Sequence, residues 1–140
     1  MTILVVDDEI SFRLLMKSFL SDEGYDVVLA EDGQEAFEKL DEIPIDMIIS
    51  DIYMPVMDGF KLQKAVRGSK KWSHLPILFT SAYDDQLTLD VVSNPRTDAF
   101  VRKGRPINEV LEWIVYLTTP EEDRPAKLPG SRLGSRSAGL

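Results

Sequence analysis

The chain has 140 residues, of which 44% are hydrophobic, and a formal net charge of −8 at pH 7. This length suits one globular domain with a single core and leaves no room for a second one. The sequence contains no cysteine, which excludes disulfides and thiolate metal sites. The lack of a signal peptide or long apolar span predicts a soluble, cytoplasmic protein without membrane contacts. Because the negative charge lies in residues 1–119, we do not expect this part to bind nucleic acid directly.

Five short, β-rich segments alternate with amphipathic helical patterns along the chain. This alternation predicts βαβ units and a parallel sheet. Within the segments polar and apolar residues do not alternate, as is typical of strands covered on both faces. We therefore predict an α/β fold with a doubly wound five-stranded parallel sheet of order 2-1-3-4-5 and five flanking helices. The predicted strands are Ile3–Val6, Asp26–Ala30, Asp46–Ser50, Pro76–Thr80 and Ala99–Arg102.

The first three helical patterns have recognisable ends. The first ends at Gly24. The second opens with Asp32 and Glu35 in capping-box spacing, and the third begins after Asp58, which we interpret as a helix cap, and stops near Gly68. The predicted core stripe of the first helix has helical spacing and consists of Phe12, Leu15, Met16, Phe19 and Leu20.

The last two helical patterns differ in strength. The fourth, from about Asp84 to Val92, is cut by Asn94-Pro95, so this helix is expected to be short or irregular. The fifth has Pro106 in its first turn, and its predicted stripe consists of Ile107, Val110, Leu111, Ile114 and Val115. Trp113 and Tyr116 lie off this stripe, where either a partner surface or coverage by the tail would account for them.

The composition changes at Pro120. Residues 120–140 are rich in Pro, Gly, Ser and Arg and contain no aromatic residue, so they cannot contribute much to a core. We expect a folded domain over residues 1–119 and a disordered tail over residues 120–140. The tail is either a linker to an output domain or a segment added for expression, and the sequence leaves both options open.

Polar side chains stand at the ends of four predicted strands. Asp7 and Asp8 follow the first strand and Asp51 follows the third, while Thr80 ends the fourth and Lys103 follows the fifth. The carboxyl ends of parallel strands meet at one edge of a sheet, and the predicted order places strand 1 beside strand 3. We therefore expect these side chains to form one site.

A cluster of three carboxylates favours a hard divalent cation. Mutual repulsion would raise the pKa of at least one of them unless a cation is present, and oxygen ligands of this kind suit Mg²⁺, or Mn²⁺ in its place. We predict that Asp8, Asp51 and the backbone carbonyl of Tyr53 bind the metal, and that Asp7 orients a metal-bound water. A cation, the Lys103 ammonium and a hydroxyl around one carboxylate can stabilise a phosphoryl group during its transfer to that carboxylate.

At these positions the chain resembles the receiver domain of two-component response regulators, which has a chemotaxis-type, flavodoxin-like fold. Coverage runs from residue 1 to about residue 118, and four motifs in the right order carry the resemblance. The resemblance implies phosphorylation of Asp51 by a histidine kinase or phosphotransfer domain with Mg²⁺ in the acidic pocket. It implies a signalling phosphoprotein, not an enzyme with an external substrate. The motifs are Val6-Asp7-Asp8-Glu9, the segment from Asp51 to Gly59, the segment from Pro76 to Ala82, and Ala99-Phe100-Val101-Arg102-Lys103.

The resemblance also implies a switch. Thr80 would move toward the phosphoryl group and Phe100 would rotate inward, although a strand aromatic such as Phe100 also commonly serves packing alone. The face remodelled in this way is built from the fourth helix, fifth strand and fifth helix. It would contact a downstream output domain or protein, with a homodimer through the same face as a further option. Tyr53 and Ala82 occupy positions that tune the phosphoryl lifetime in the family, and we expect them to limit access of water.

The sequence departs from the family pattern in two places. Lys103 is followed by Gly104-Arg105-Pro106 instead of directly by proline, so the turn uses either the conformational freedom of glycine or a strained cis bond. The segment Asp90 to Asp98 lacks the usual Gly-Ala approach to strand 5, which predicts an unusual output face.

Three other functions share part of this pattern. A pseudo-receiver that only binds partners is favoured by Gly104 alone. An aspartyl-nucleophile phosphatase of the haloacid dehalogenase type requires a second acid two residues after the nucleophile, and this chain has Tyr53 at that position. A nucleotide- or flavin-binding module would need a Gly-rich loop after strand 1, and none is present.

Overall fold

The computed structural model describes residues 1–83 and 86–130. Strands and helices alternate through the chain, and a one-turn 3-10 helix follows at Glu121–Asp123. The strands and helices are β1 (Thr2–Val6), α1 (Ile10–Asp22), β2 (Asp26–Ala30), α2 (Gly33–Glu42), β3 (Met47–Asp51), α3 (Gly59–Gly68), β4 (Ile77–Ser81), α4 (Gln86–Leu89), β5 (Asp98–Arg102) and α5 (Asn108–Thr118).

The five strands form one parallel sheet of order β2-β1-β3-β4-β5. The predicted fold class and strand order are therefore confirmed. β1 and β3 are neighbours, with Val6 paired to Ser50, and β3 and β4 are neighbours, with Asp51 paired to Thr80. Asp51 and Thr80 thus lie side by side at the carboxyl edge of the sheet.

The core consists of two apolar layers, one on each face of the sheet. One layer joins alternate strand residues such as Leu4 and Ile48 to α2 and α3 through Leu40 and Leu62. The other layer joins the remaining strand residues to α1 and α5, with Met16, Leu20 and Ile114 at its centre. Every residue of β3 and β4 is buried, so these two strands are the rigid support for the site at their ends.

Side-chain caps determine where α2 and α3 begin. The Asp32 carboxylate accepts a hydrogen bond from the Glu35 amide at 2.8 Å, and Asp58 accepts one from the Lys61 amide at 2.9 Å. Both bonds satisfy amides that a helix start would otherwise leave unpaired. α3 therefore begins directly after Asp58 and ends at Gly68, as the sequence predicts.

Two residues of the predicted helical stripes are exposed instead of buried. Leu15 of α1 is 54% exposed and Val115 of α5 is 58% exposed. Each lies five positions from a core residue of its helix, Leu20 and Val110 respectively, which is about 140° around the helix axis. The core face of α5 is centred on Val110, Ile114 and Leu117, so Trp113 and Tyr116 pack at its edge.

Among the described residues, the fourth helix is a single turn, in agreement with the short or irregular helix that the interrupted pattern predicts. The segment that follows is held by a buried polar network at the start of β5. The Asp98 carboxylate, which is 1% exposed, pairs with the Arg67 guanidinium and accepts a hydrogen bond from Gln63 Nε2 at 2.9 Å. Gln63 Nε2 also donates to the Val91 carbonyl at 2.6 Å, so α3 anchors the chain on the C-terminal side of α4.

Residues 120–130 lie against α5. The Arg124 guanidinium stacks 4.9 Å from the Tyr116 ring centre and donates to the carbonyls of Thr119 and Leu117. The Gly130 amide donates to Glu112 Oε1 at 3.2 Å. The first part of the predicted tail thus covers Tyr116, while residues 131–140 lie outside the described residues. Within the described ranges, no helix has the length and apolar character needed to cross a membrane.

Candidate functional site

Asp51 is the last residue of β3 and is only 8% exposed. Its Oδ1 accepts a hydrogen bond from the Ile52 amide at 2.7 Å, and its carbonyl accepts one from Ser50 Oγ at 2.8 Å. The strand end therefore holds the carboxylate in a defined orientation at the edge of the sheet. A carboxylate in such a position has one oxygen fixed by the backbone and a second oxygen available for other partners.

Asp7 and Asp8 follow β1, on the strand next to Asp51. Asp7 is fully buried, and its Oδ1 accepts a hydrogen bond from the Glu9 amide at 2.9 Å. The Arg13 guanidinium donates to the Asp7 carbonyl at 2.6 Å and so ties the strand end to α1. Asp8 is exposed, and the N-cap position of α1 is occupied by Glu9, so neither aspartate is the N-cap of this helix.

The carboxylates of Asp7, Asp8 and Asp51 form one cluster. Each offers an oxygen, and these oxygens all lie within 4.8 Å of one another. Two of the three groups are buried, where like charges repel strongly. Oxygen ligands of this number and charge fit a hard divalent cation such as Mg²⁺. The structure thus brings together the three acids that the sequence predicts to form a metal site.

Lys103 reaches the cluster from the end of β5. Its Nζ is 2.8 Å from Asp7 Oδ2 and 3.4 Å from Asp51 Oδ2, and it lies 4.4 Å from the centre of the Phe12 ring. The Lys103 amide donates to the Ser81 carbonyl at 2.8 Å, which fixes the backbone before the turn. Gly104 then adopts a φ of +99°, so the turn uses a conformation that glycine tolerates best.

The surroundings shift the pKa of two groups. Burial and the nearby charge of Asp7 raise the pKa of Asp51 to about 6, while Lys103 and the Ile52 amide oppose this rise. Burial alone would lower the pKa of Lys103, but its contact with Asp7 and the charges of Asp51 and Asp7 outweigh that effect and raise it above the ordinary value. At neutral pH the site therefore holds a charged lysine and a mostly ionised Asp51.

Thr80 and Phe100, the two predicted switch residues, differ in their surroundings. Thr80 is 1% exposed, and its Oγ1 has no hydrogen-bond partner among residues 1–83 and 86–130. A buried hydroxyl without a partner is costly, and here it stands on the strand next to Asp51. Phe100 is half-buried and packs against the apolar layer that contains α3.

The loop from β3 to α3 runs tightly past Asp51. A Cβ atom added to Gly59 would lie 2.7 Å from the Asp51 carbonyl oxygen and 2.8 Å from Ile52 Cα, so only glycine fits there. Val56 has a φ of +69°, and the Met57 amide donates to the Pro55 carbonyl at 2.7 Å across it, which is a strained γ-turn. Asp58 caps α3 as predicted.

Tyr53 and Ala82, the two predicted tuning residues, are both exposed. The Tyr53 ring packs edge-to-face against Tyr83 on one side and Phe60 on the other. Tyr83 was not predicted, and neither were the contacts of Phe12 and Arg13 with the site. The only sequence signal for Tyr83 is that it lies three residues after Thr80. The contacts of Phe12 and Arg13 have no such signal, because they depend on how α1 packs.

The comparison of the chain with known protein families gives one match over most of its length. The response regulator receiver domain family matches residues 3–114. The chain is 37% identical over 103 residues to "Response regulator RR06" of Streptococcus pneumoniae, covering 74% of this chain and 46% of that protein. It is 34% identical over 109 residues to "Transcriptional regulatory protein TrcR" of Mycobacterium tuberculosis, covering 78% of this chain and 42% of that protein. The chain thus spans less than half the length of either relative.

Solved structures of similar sequence have the same fold. Chemotaxis protein CheY4 of Vibrio cholerae has a TM-score of 0.73 and 34% identity, with coverage of 81% of this chain and 94% of that one. The response regulator TrrA of Thermotoga maritima, solved in complex with Mg²⁺ and BeF, has a TM-score of 0.72 and 34% identity, with coverage of 83% and 97%. Together with the family match, these similarities show that the chain belongs to the response regulator receiver domain family.

Proposed function

We propose that the chain is a phosphoacceptor domain in phosphorelay (two-component) signal transduction, and that Asp51 accepts the phosphoryl group from a histidine kinase or phosphotransfer domain. The observation that carries this proposal is the convergence, at one edge of the sheet, of a buried carboxylate, a lysine 3.4 Å away and two further acids. The protein would act in the cytoplasm, as expected from the sequence.

The chemistry follows from the state of Asp51. With a pKa of about 6, its carboxylate is mostly ionised at neutral pH and can attack phosphorus. A new bond forms between an Asp51 oxygen and phosphorus, the bond from phosphorus to the donor breaks, and the donor leaves with its electron pair. Lys103 supplies positive charge beside the oxygens on which charge develops.

The acid cluster would hold the cation that this transfer requires. Asp8, Asp51 and the Tyr53 backbone carbonyl would bind Mg²⁺ directly, and Asp7 would orient a bound water. Mg²⁺ would neutralise phosphoryl oxygens and lower the repulsion within the cluster. In support, TrrA, a similar structure, was solved with Mg²⁺ and BeF.

Thr80 and Phe100 would convert phosphorylation into a change of surface. The unpartnered Thr80 hydroxyl would gain a phosphoryl oxygen as its acceptor, and the half-buried Phe100 would turn inward as the end of β4 moves. The affected face, formed by α4, β5 and α5, would contact an output domain or protein or a second copy of the chain. Because residues 120–130 cover part of α5, a partner there would meet this segment too.

A protein is a suitable phosphoryl donor because α1, the helix that begins next to the site, carries exposed apolar side chains that a protein partner could cover. Ile10, Leu14 and Leu15 on α1 are each more than half exposed, and α1 begins three residues after Asp7. We expect Leu14→Asp to lower phosphorylation by a phosphorylated phosphotransfer domain but not by acetyl phosphate. Equal losses with both donors would contradict a role of this patch in docking.

The decisive experiment is incubation with acetyl phosphate and Mg²⁺, followed by measurement of the intact mass. The parent chain should gain one phosphoryl group and Asp51→Asn should gain none. Asp46→Asn is the matched control. Asp46 directly precedes β3, at the end of the strand opposite to Asp51, and accepts a hydrogen bond from the Thr2 amide. A parent chain that gains no phosphoryl group would favour the pseudo-receiver. A phosphoryl group on Asp51→Asn would show that another residue is the acceptor.

A further inference from the structure

Three aromatic rings form a row beside the site. The ring centres of Tyr53 and Tyr83 are 5.7 Å apart with the planes at 81°, and those of Tyr53 and Phe60 are 6.4 Å apart with the planes at 71°. Both pairs have the edge-to-face geometry that aromatic rings prefer. Phe60 is half-buried on α3, so the row extends from the protein body through Tyr53 to Tyr83, which is 62% exposed.

The sheet register places this row at the carboxyl edge. Asp51 ends β3 and Ser81 ends β4, and Tyr53 and Tyr83 each follow two residues later. The two rings therefore meet above neighbouring strand ends. Tyr53 also lines a shallow recess together with Asp8 and Asp58, so this residue lies next to one member of the acid cluster. The Tyr83 amide donates to Ser81 Oγ at 3.0 Å, which holds the start of the loop after β4.

We propose that Tyr83, through its contact with Tyr53, completes an aromatic cover beside Asp51 and is a positioning residue for the lifetime of the phosphorylated state. This inference rests on the proposed function. In hydrolysis, a water oxygen bonds to phosphorus, the bond from phosphorus to the Asp51 oxygen breaks, and the aspartate carboxylate is restored as the water proton goes to solvent. A cover that restricts the path of this water slows the step.

The structure assigns this role to Tyr83 and not to Ala82. Ala82 has a methyl side chain, whereas Tyr83 provides the ring that contacts Tyr53. The Tyr53 ring packs against both Phe60 and Tyr83, and Tyr83→Ala would remove the second of these contacts. Since an edge-to-face pair is worth about 0.5–1.5 kcal/mol, losing it should change the population of the covering position of Tyr53 by about two- to tenfold.

The test measures how fast the phosphoryl group is lost. The full chain is phosphorylated with acetyl phosphate and Mg²⁺, the donor is removed, and the phosphorylated fraction is followed by intact mass for the parent, Tyr83→Ala, Tyr53→Ala and the double variant. Tyr83→Ala should lose the group about two- to tenfold faster than the parent. The double variant should be no faster than Tyr53→Ala, because the two rings act as a unit.

Two controls separate this role from a structural one. Tyr83→Phe keeps the ring and should retain the parent lifetime. Glu42→Ala, at the exposed end of α2 that precedes the start of β3, should leave the lifetime unchanged. An unchanged lifetime in Tyr83→Ala, or fully multiplicative effects of the two alanine variants, would overturn the inference while leaving the proposed function intact. A parent chain that takes up no phosphoryl group would overturn the proposed function and this inference with it.

Discussion

Lys103 lies closer to Asp7 than to Asp51. Its Nζ is 2.8 Å from Asp7 Oδ2 and 3.4 Å from Asp51 Oδ2, so one ammonium bridges carboxylates from neighbouring strands. Asp7 is fully buried, and a buried carboxylate without a partner is strongly destabilising. Lys103 therefore compensates the charge of Asp7 and, at the same time, keeps a positive charge beside the proposed nucleophile.

Replacing Lys103 should impair phosphorylation most at low pH. Lys103 lowers the pKa of Asp51, so in Lys103→Ala this pKa rises above its value of about 6 and less carboxylate is ionised at neutral pH. We expect the rate of labelling by acetyl phosphate to fall by roughly tenfold or more and to recover partly as the pH rises. Lys103→Arg keeps the charge and should lose less. A parent-like rate in Lys103→Ala would contradict this role.

Neutralising Asp51 should stabilise the folded chain at neutral pH when no metal is present. The folded pKa of about 6 lies above the ordinary value of 3.8, so folding favours the protonated form. This contribution to stability is fully present below about pH 4 and is lost as the pH rises through about 6. The free energy of unfolding of Asp51→Asn should therefore exceed that of the parent by about 1–3 kcal/mol above pH 7.

Urea denaturation in the presence of a chelator measures this difference directly. The difference in the free energy of unfolding between Asp51→Asn and the parent should shrink as the pH falls from about 7 to about 4, because the parent carboxyl then becomes protonated and resembles the amide. A difference that is independent of pH would show that the charge of Asp51 is not its cause.

Mg²⁺ should stabilise the parent through Asp8. A ligand that binds only the folded state at about ten times its Kd adds about 1.4 kcal/mol to the free energy of unfolding. Asp8→Asn removes an exposed carboxylate of the cluster and should lose most of this gain. Asp58→Asn is the matched control, because Asp58 lines the same recess but serves as a cap, a role that asparagine also fulfils. An equal gain in Asp8→Asn would exclude Asp8 as a ligand.

Gly59, the first residue of α3, should be intolerant of substitution, whereas Gly68, the last residue of the same helix, should tolerate it. A Cβ at Gly59 would clash with the Asp51 carbonyl and Ile52 Cα, whereas a Cβ at Gly68 would meet nothing within 4 Å. We expect Gly59→Ala to lower the free energy of unfolding by about 1–3 kcal/mol and to slow labelling of Asp51. Gly68→Ala should be neutral or stabilising. Equal stabilities of the two variants in thermal unfolding would refute this explanation.

Local patterns were sufficient to predict most of the architecture. Asp32 and Asp58 begin helices as predicted, because a capping bond depends only on residues three apart. The strands and their order followed from hydrophobic runs and from the handedness of their connections. Leu15 and Val115 were assigned wrongly because periodicity identifies an apolar stripe but not where the sheet meets it.

The sequence by itself determined that four polar strand ends face one edge of a parallel sheet, because strand direction and alternation with helices leave few other arrangements. Only the tertiary structure decided which of those groups touch. The closer approach of Lys103 to Asp7, the pairing of Tyr53 with Tyr83, and the buried contact of Arg67 with Asp98 join residues that are 30 or more positions apart. Their distances depend on how whole helices and loops pack against the sheet, and no local pattern encodes that packing.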